Sequence, residues 1–214
     1  MAQQIVHYFV LDTLSDWEAV FAISFLNKET YQIFQAQPGR YRVKIVGESR
    51  APITTAAGLT IIPEMTVDEL EPTESAMLIL PGADIWLEEA RAPVLAKASA
   101  FLAAGLPVAA ICGAVPGLAS VGLLNYKKHT GNSLAELQQV AKYKGEELYQ
   151  DQPAYTDGDL ITAAAIAPLE FAYHILKKLE AYKPEVLEAW YKVYKIGDAA
   201  SKAEFFAAAR QAGM

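Results

Sequence analysis

The chain has 214 residues, of which 53% are apolar and 20% charged, so it can bury a sizeable core and is not a disordered polypeptide. A net charge of −7 and a pI near 5.0 argue against nucleic acid or an anionic membrane surface as partner. A single cysteine excludes an internal disulfide and suits a reducing compartment; with no basic leader and no apolar run of about 18 residues, a soluble cytoplasmic protein is expected.

Residues 5–11 form a β-rich run and predict the first strand. Ser15-Asp16-Trp17-Glu18 then opens a helix through about Tyr31, with Trp17, Val20, Phe21, Ser24 and Phe25 near helical spacing as its apolar face. Ser15 and Glu18 stand at capping-box spacing, so one role for Glu18 is to reach back to the Ser15 N–H. Pro38-Gly39 breaks the chain, and residues 41–46 (YRVKIV) alternate as a second strand. Residues 52–62 read as a hairpin turning near Ala57-Gly58, and Thr66 with Glu69 sets a second capping box on a short helix.

A buried strand, AMLIL (residues 76–80), runs straight into Pro81-Gly82-Ala83-Asp84. Asp84 is expected to cap a long helix to Ala104, with Trp86, Leu87, Ala90, Val94, Leu95, Ala98, Phe101 and Leu102 inward. After Gly105, the run VAAI (residues 108–111) predicts a central parallel strand, and Cys112-Gly113-Ala114 follows at once. Pro116 suits the first turn of a helix over residues 114–124. A strand, a tight turn carrying a nucleophile and an immediate helix make the layout of a nucleophile elbow. A thiol at a helix N-terminus sits in partial positive charge that favours the thiolate; the alternative is a buried, inert cysteine at a strand end.

A polar connection, Asn125 to Asn132 with His129 inside it, leads to a helix capped by Ser133 with Glu136 three residues on. Tyr155-Thr156, Asp157-Gly158 and Leu160-Ile161-Thr162 read as extended chain, tight turn and strand, and Pro168 starts a helix to about Tyr182. In the tail, Leu187, Trp190, Tyr191 and Tyr194 recur at helical spacing before Gly197-Asp198, and a last helix over residues 201–211 carries Phe205 and Phe206. The alternation of strands and helices predicts an α/β protein: a doubly wound, mostly parallel sheet with helices on both faces and a C-terminal helical extension. One sheet domain over residues 1–183 is expected, with residues 184–214 packed on it or on a second copy.

Ligands of doubly wound sheets bind at the carboxyl ends of the strands. Three such ends carry chemistry here: Asp16 and Glu18 after the first, the Gly82-Ala83 N–H groups after the third, and Cys112 with the Gly113 N–H after the fourth. A thiol, a carboxyl and two backbone donors (Ala83 and Gly113) are the minimum for thiolate addition to a carbonyl. Of three histidines, His7 lies mid-strand and His174 on a charged helix face expected to be solvated, which leaves His129 as the candidate base. No cluster has metal-ligand spacing and no glycine-rich loop fits a nucleotide, so neither metal nor cofactor is expected.

The segments AAICGAVPGLASVGLLNYKKHTGNS, MLILPGAD, SDWEAVF and DGDLITAAAIAPLEFA resemble the ThiJ/PfpI superfamily, the class I glutamine amidotransferase-like proteins that include the Parkinsonism-associated deglycase. The resemblance covers about residues 3–182 and implies a flavodoxin-like fold and a homo-oligomer. It further implies Cys112 as nucleophile, Glu18 as the acid beside its thiolate, and Ala83 and Gly113 as oxyanion donors, with Gly82, Asp16, Asn132 and His129 lining the site. A carboxyl that donates to a thiolate implies a raised Glu18 pKa and a depressed Cys112 pKa.

Departures from the family pattern narrow the chemistry. Gly113 follows the cysteine where protease-like members carry histidine, and Asn132 matches a loop position that is histidine in some members. Ala165-Ile-Ala-Pro168 replaces the His-x-Glu of amidotransferases. Glyoxalase- or deglycase-type chemistry on small aldehydes is therefore expected first. A non-enzymatic stress or redox protein oxidised at Cys112 comes second, and a cysteine peptidase third.

Overall fold

The computed structural model describes residues 3–28 and 35–213. Seven strands form one sheet: β1 (Gln4–Phe9), β2 (Tyr41–Gly47), β5 (Met65–Thr66), β6 (Met77–Leu80), β7 (Val108–Ile111), β8 (Ala154–Asp157) and β9 (Leu160–Ala163), in the order β5-β2-β1-β6-β7-β9-β8. All pairs are parallel except β8 with β9, whose hairpin turns at Gly158 in the left-handed region, φ 60°. The pair β3 (Ile53–Thr54) and β4 (Thr60–Ile61) forms a separate antiparallel hairpin, with Gly58 at φ 80° in its turn. This is the flavodoxin-like, doubly wound sheet expected, and its wholly buried strands β6, β7 and β9 explain the unalternating apolar runs MLIL, VAAI and LITA.

Helices cover the sheet: α1 (Asp16–Asn27), α2 (Ala92–Ala103), α3 (Ala114–Ser120), α4 (Leu134–Leu137) and α5 (Pro168–Lys178). The fully buried Phe9, Phe101, Phe171, Leu78 and Ile79 mark the core around the sheet. After α5 come α6 (Pro184–Ile196) and α7 (Ala199–Gln211), separated by Gly197 at φ 75° and Asp198, whose carboxylate accepts the Ser201 N–H at 2.7 Å. Trp190 of α6 is 1% exposed and meets Phe25 of α1 edge-on at 5.1 Å, so the tail packs on the sheet domain. Among the described residues no helix is long and apolar enough to cross a membrane.

Several elements differ from the sequence expectation. On α1 the buried positions are Glu18, Ala19, Ala22, Phe25 and Leu26, while Trp17 is 54% and Val20 41% exposed. Apolar residues surround this helix, so spacing could not orient it, and the inward face is turned towards Glu18. Its predicted end near Tyr31 lies outside the described residues. The helix expected from Asp84 begins eight residues later, where Pro93 in its first turn needs no N–H partner; Asp84 to Glu88 is a turn and Glu89–Arg91 a single 3₁₀ turn. Leu87 is consequently exposed, while Trp86 is held inward by donating its indole N–H to the Pro81 carbonyl at 2.7 Å. The elbow helix stops at Ser120, and Gly122, at φ 79°, follows its end.

Candidate functional site

The strand order places β1, β6 and β7 side by side, so the loops at their carboxyl ends meet. From β1 the chain runs through residues 10–15 into α1 and delivers Glu18. From β6 it turns through Pro81-Gly82-Ala83, and from β7 it reaches Cys112 and then α3. Strands are added on one side of β1 up to β5 and on its other side from β6 onwards, which makes the gap between β1 and β6 the switch-point crevice.

Cys112 adopts φ 55°, in the left-handed region that a side chain enters only at a cost of about 1–3 kcal/mol. Its N–H donates to Ala163 on β9 at 3.0 Å and its carbonyl accepts the Val115 N–H at 3.0 Å, so strand and helix together hold that conformation. The elbow is therefore strained in the way a nucleophile-bearing turn requires. Gly113 has ordinary helical backbone (φ −56°) and is glycine for space instead: a Cβ there would lie 2.4 Å from the Ala83 carbonyl oxygen.

Glu18 has no exposed surface. Its Oε2 accepts the Gly82 N–H at 2.5 Å, while the Ser15 N–H donates to the Gly82 carbonyl at 2.9 Å. The capping box that the sequence allowed at Ser15 is thus not formed, because the Ser15 N–H has another acceptor and the carboxyl points into the sheet. A Cβ on Gly82 would stand 2.5 Å from Glu18 Oε2, 2.7 Å from Oε1 and 2.6 Å from Cys112 Cβ. Thiol and carboxyl converge over Gly82, where no side chain separates them. Among the described residues Glu18 Oε1 has no partner in strict hydrogen-bond geometry, yet the Cys112 thiol and the Ser15 side chain are close enough to lower the carboxyl's pKa.

Burial pushes the Glu18 carboxyl above the usual carboxylate range, against the pull of the Gly82 N–H and the thiol. The expected depression of the Cys112 thiol is not found: burial and then the charge of Glu18 push it up to about 11. The Asn132 amide and the Gly113 N–H favour the thiolate but do not offset these two effects. The α3 N-terminus acts only within its first turn and is too weak to reverse them.

Cys112 opens into a cleft of about 450 Å³ lined by Ala83, Trp86, Gly113, Asn132, Glu136 and Gln139 among others. Among the described residues the Ala83 and Gly113 N–H groups donate to no oxygen. Asn132 donates from Nδ2 towards Cys112 Sγ at 3.7 Å, and its Oδ1 accepts the Ala165 N–H at 2.9 Å, which fixes the amide's orientation.

Two residues expected at the site stand elsewhere. Asp16 accepts the Ala57 N–H at 2.8 Å and ties the β3–β4 hairpin to α1. His129 is fully buried, with Nδ1 2.7 Å from the Lys127 carbonyl and Nε2 2.8 Å from the Tyr143 hydroxyl, so both ring nitrogens are occupied. His7 pairs with Ser75 Oγ at 2.8 Å, and burial pushes its pKa down to about 4. His174, expected to be solvated, is half-buried against Thr156 Oγ1 at 2.7 Å. None of the three histidines lines the cleft. Among the described residues no three His, Cys, Asp or Glu side chains group to hold a metal ion.

Trp86 and Glu136 are cleft residues that the sequence did not reveal. The sequence pattern puts Trp86 on the inward face of a long helix, whereas it stands in the turn before that helix begins. Glu136 carries the same signal as Glu18, a glutamate three residues after a capping serine, and was explained by the cap alone.

Fold and site together define a flavodoxin-like α/β protein with its cysteine on a strained strand–turn–helix elbow. The chain belongs to the DJ-1/PfpI family, whose model matches residues 4–178. It is 42% identical over 202 residues to the Bacillus subtilis (strain 168) protein described as "Uncharacterized protease YoaZ", covering 94% of this chain and 93% of that one. It is 25% identical over 160 residues to "Deglycase TK1284" of Thermococcus kodakarensis (strain ATCC BAA-918 / JCM 12380 / KOD1), covering 71% and 84% respectively. The crystal structure of a thiJ/pfpI family protein from Bacillus anthracis superposes with a TM-score of 0.88 at 37% identity, over 97% of this chain and 99% of that one.

Proposed function

We propose that the protein is a cofactor-independent thiol enzyme in which Cys112 adds to small aldehydes or related carbonyl compounds. The observation that carries this is the wholly buried Glu18 carboxyl facing Cys112 across Gly82. A carboxylate whose basicity is raised by burial is a competent acceptor for a thiol proton. The proton passes from Sγ to Glu18, the S–C bond forms, and the carbonyl π pair moves onto oxygen, where the Ala83 and Gly113 N–H groups receive it. Similarity to a protein named as a deglycase agrees with this chemistry. A peptidase fits less well, because no histidine lines the cleft to protonate a leaving amine.

A second function is favoured by one observation, the closeness of the wholly buried Glu18 carboxyl to the sulfur. An oxygen placed on Sγ by a peroxide would take a hydrogen bond from a protonated Glu18, which would make Cys112 a redox sensor. Incubation with methylglyoxal separates the two. Turnover that disappears in Cys112→Ser supports the enzyme, whereas no turnover of any small dicarbonyl, with prompt peroxide oxidation of Cys112, sinks it in favour of the sensor.

A further inference from the structure

The chain has three glutamates at the third position of a helix or 3₁₀ turn whose capping residue is Ser or Thr, and they behave differently. Glu69 does what the local sequence dictates: its carboxylate accepts the Thr66 N–H at 2.7 Å and closes the capping box. Glu18 and Glu136 do not. At α4 the Ser133 hydroxyl accepts the Glu136 N–H at 3.1 Å, but the Glu136 carboxyl does not return to the Ser133 N–H. It lines the Cys112 cleft instead. Glu18 faces Cys112 across Gly82, and Glu136 lines the cleft into which Cys112 opens.

The surroundings of Glu136 say what it does there. Its Oε1 lies 3.5 Å from Asn132 Nδ2, the nitrogen that is also 3.7 Å from Cys112 Sγ, and Asn132 itself is fixed by the Ala165 N–H. Its Oε2 is shielded from solvent and, among the described residues, has no hydrogen-bond partner. An ionised oxygen there would lack a donor, so the site favours the acid form more than open solvent would. Burial accordingly pushes this carboxyl above its usual range. A half-buried carboxyl on the wall of the Cys112 cleft, one amide away from the sulfur, is placed to meet the oxygen of a bound carbonyl compound.

We propose that Glu136 is the proton donor of the Cys112 cleft, delivering a proton to the oxygen of the carbonyl compound to which the thiol adds. This rests on the carbonyl-addition function proposed above and supplies the acid that a histidine gives elsewhere. The step balances without any co-reactant. The Sγ proton goes to the Glu18 carboxylate, the S–C bond forms and the C=O π bond breaks. The oxygen then takes its proton from Glu136, leaving a hemithioacetal, a protonated Glu18 and an ionised Glu136. Reversal of these transfers breaks the S–C bond, returns the protons to Sγ and to Glu136, and releases the carbonyl compound.

The test uses the fact that aldehyde addition needs a proton on the electrophile, whereas alkylation by iodoacetamide does not, because iodide leaves unprotonated. Rates of Cys112 modification by methylglyoxal and by iodoacetamide are measured by intact-mass spectrometry on wild type, Glu136→Gln and Glu136→Asp. For Glu136→Gln the ratio of aldehyde to alkylation rate falls about 10²-fold, the usual size of a general-acid contribution. Glu136→Asp, which keeps an acid on a shorter arm, recovers part of it. An unchanged ratio in Glu136→Gln overturns the proposal, as does a fall that aspartate does not relieve, since that would mark the side chain's shape and not its proton. If wild type is alkylated but never forms the aldehyde adduct, the carbonyl-addition function itself fails and this role falls with it. An unchanged ratio in a wild type that does react removes Glu136 alone.

Discussion

Gly82 gives its N–H to Glu18 Oε2 at 2.5 Å, and the space its missing side chain would fill belongs to Glu18 and to the Cβ of Cys112. A methyl group at residue 82 therefore meets two functional side chains at once. Gly82→Ala should cost about 1–3 kcal/mol of stability, the usual range for overpacking, and should separate thiol from carboxyl. Chemical denaturation reads the first effect and the Cys112 alkylation rate the second. Wild-type values for both would show that the turn yields more easily than the contacts imply.

Glu18→Gln removes the charge and alters the hydrogen bond through which Glu18 pushes Cys112 up to about 11; burial, the largest cause, stays. The midpoint of iodoacetamide alkylation against pH should fall below the wild-type value but stop short of an ordinary thiol. Methylglyoxal addition should slow nonetheless, because the proton acceptor is gone. Alkylation made easier while addition becomes harder is the signature; both rates moving together would assign Glu18 a role through packing alone.

Cys112 also predicts an alkaline weakness. Its folded-state pKa lies above the ordinary thiol value, so the stability it contributes is complete below about pH 9 and is lost as pH rises through about 11. Relative to Cys112→Ser, which has no thiol to titrate, wild type should lose about 1–2 kcal/mol over that interval. Urea midpoints at pH 8 and pH 10.5 on both proteins measure it, and parallel curves would contradict it.

His7 predicts the opposite slope. Burial holds its pKa down at about 4, so the stability it contributes is present above about pH 6.5 and is lost as pH falls towards 4. That loss should amount to about 2–3 kcal/mol. His7→Gln should flatten the denaturation midpoint across this acid range, whatever its effect at pH 7.

The chain announced its fold through the strands. MLIL, VAAI and LITA are apolar on both faces because each is covered on both sides, and the turns at Gly58, Gly158 and Gly197 stand where the chain reverses. Cys112 and the Ala83 and Gly113 donors were legible for the same reason, since each follows directly from the end of a buried strand. What sequence could not supply was the direction in which a side chain points. Trp17 and Glu18 are neighbours on a helix that is apolar nearly all round, and only packing decides that the carboxylate goes in and the indole stays out. His129 is the reverse case: a polar loop suggested access, but the Lys127 carbonyl and the Tyr143 hydroxyl, both within 14 residues of it, close around the ring. Glu136 was hidden by its own cap, because a glutamate three residues after a serine already had an explanation.

The contact between the two turns also limits which sequences this site can become. A side chain on Gly113 would begin 2.4 Å from the Ala83 carbonyl, and that carbonyl belongs to the turn held down by Trp86 beneath Pro81. A histidine after the cysteine, as the protease-like members have it, cannot enter by one substitution; the neighbouring turn must be rebuilt in the same step. Intermediates that change one turn alone lose the fit between them, so single substitutions do not lead from glycine to a larger residue at position 113.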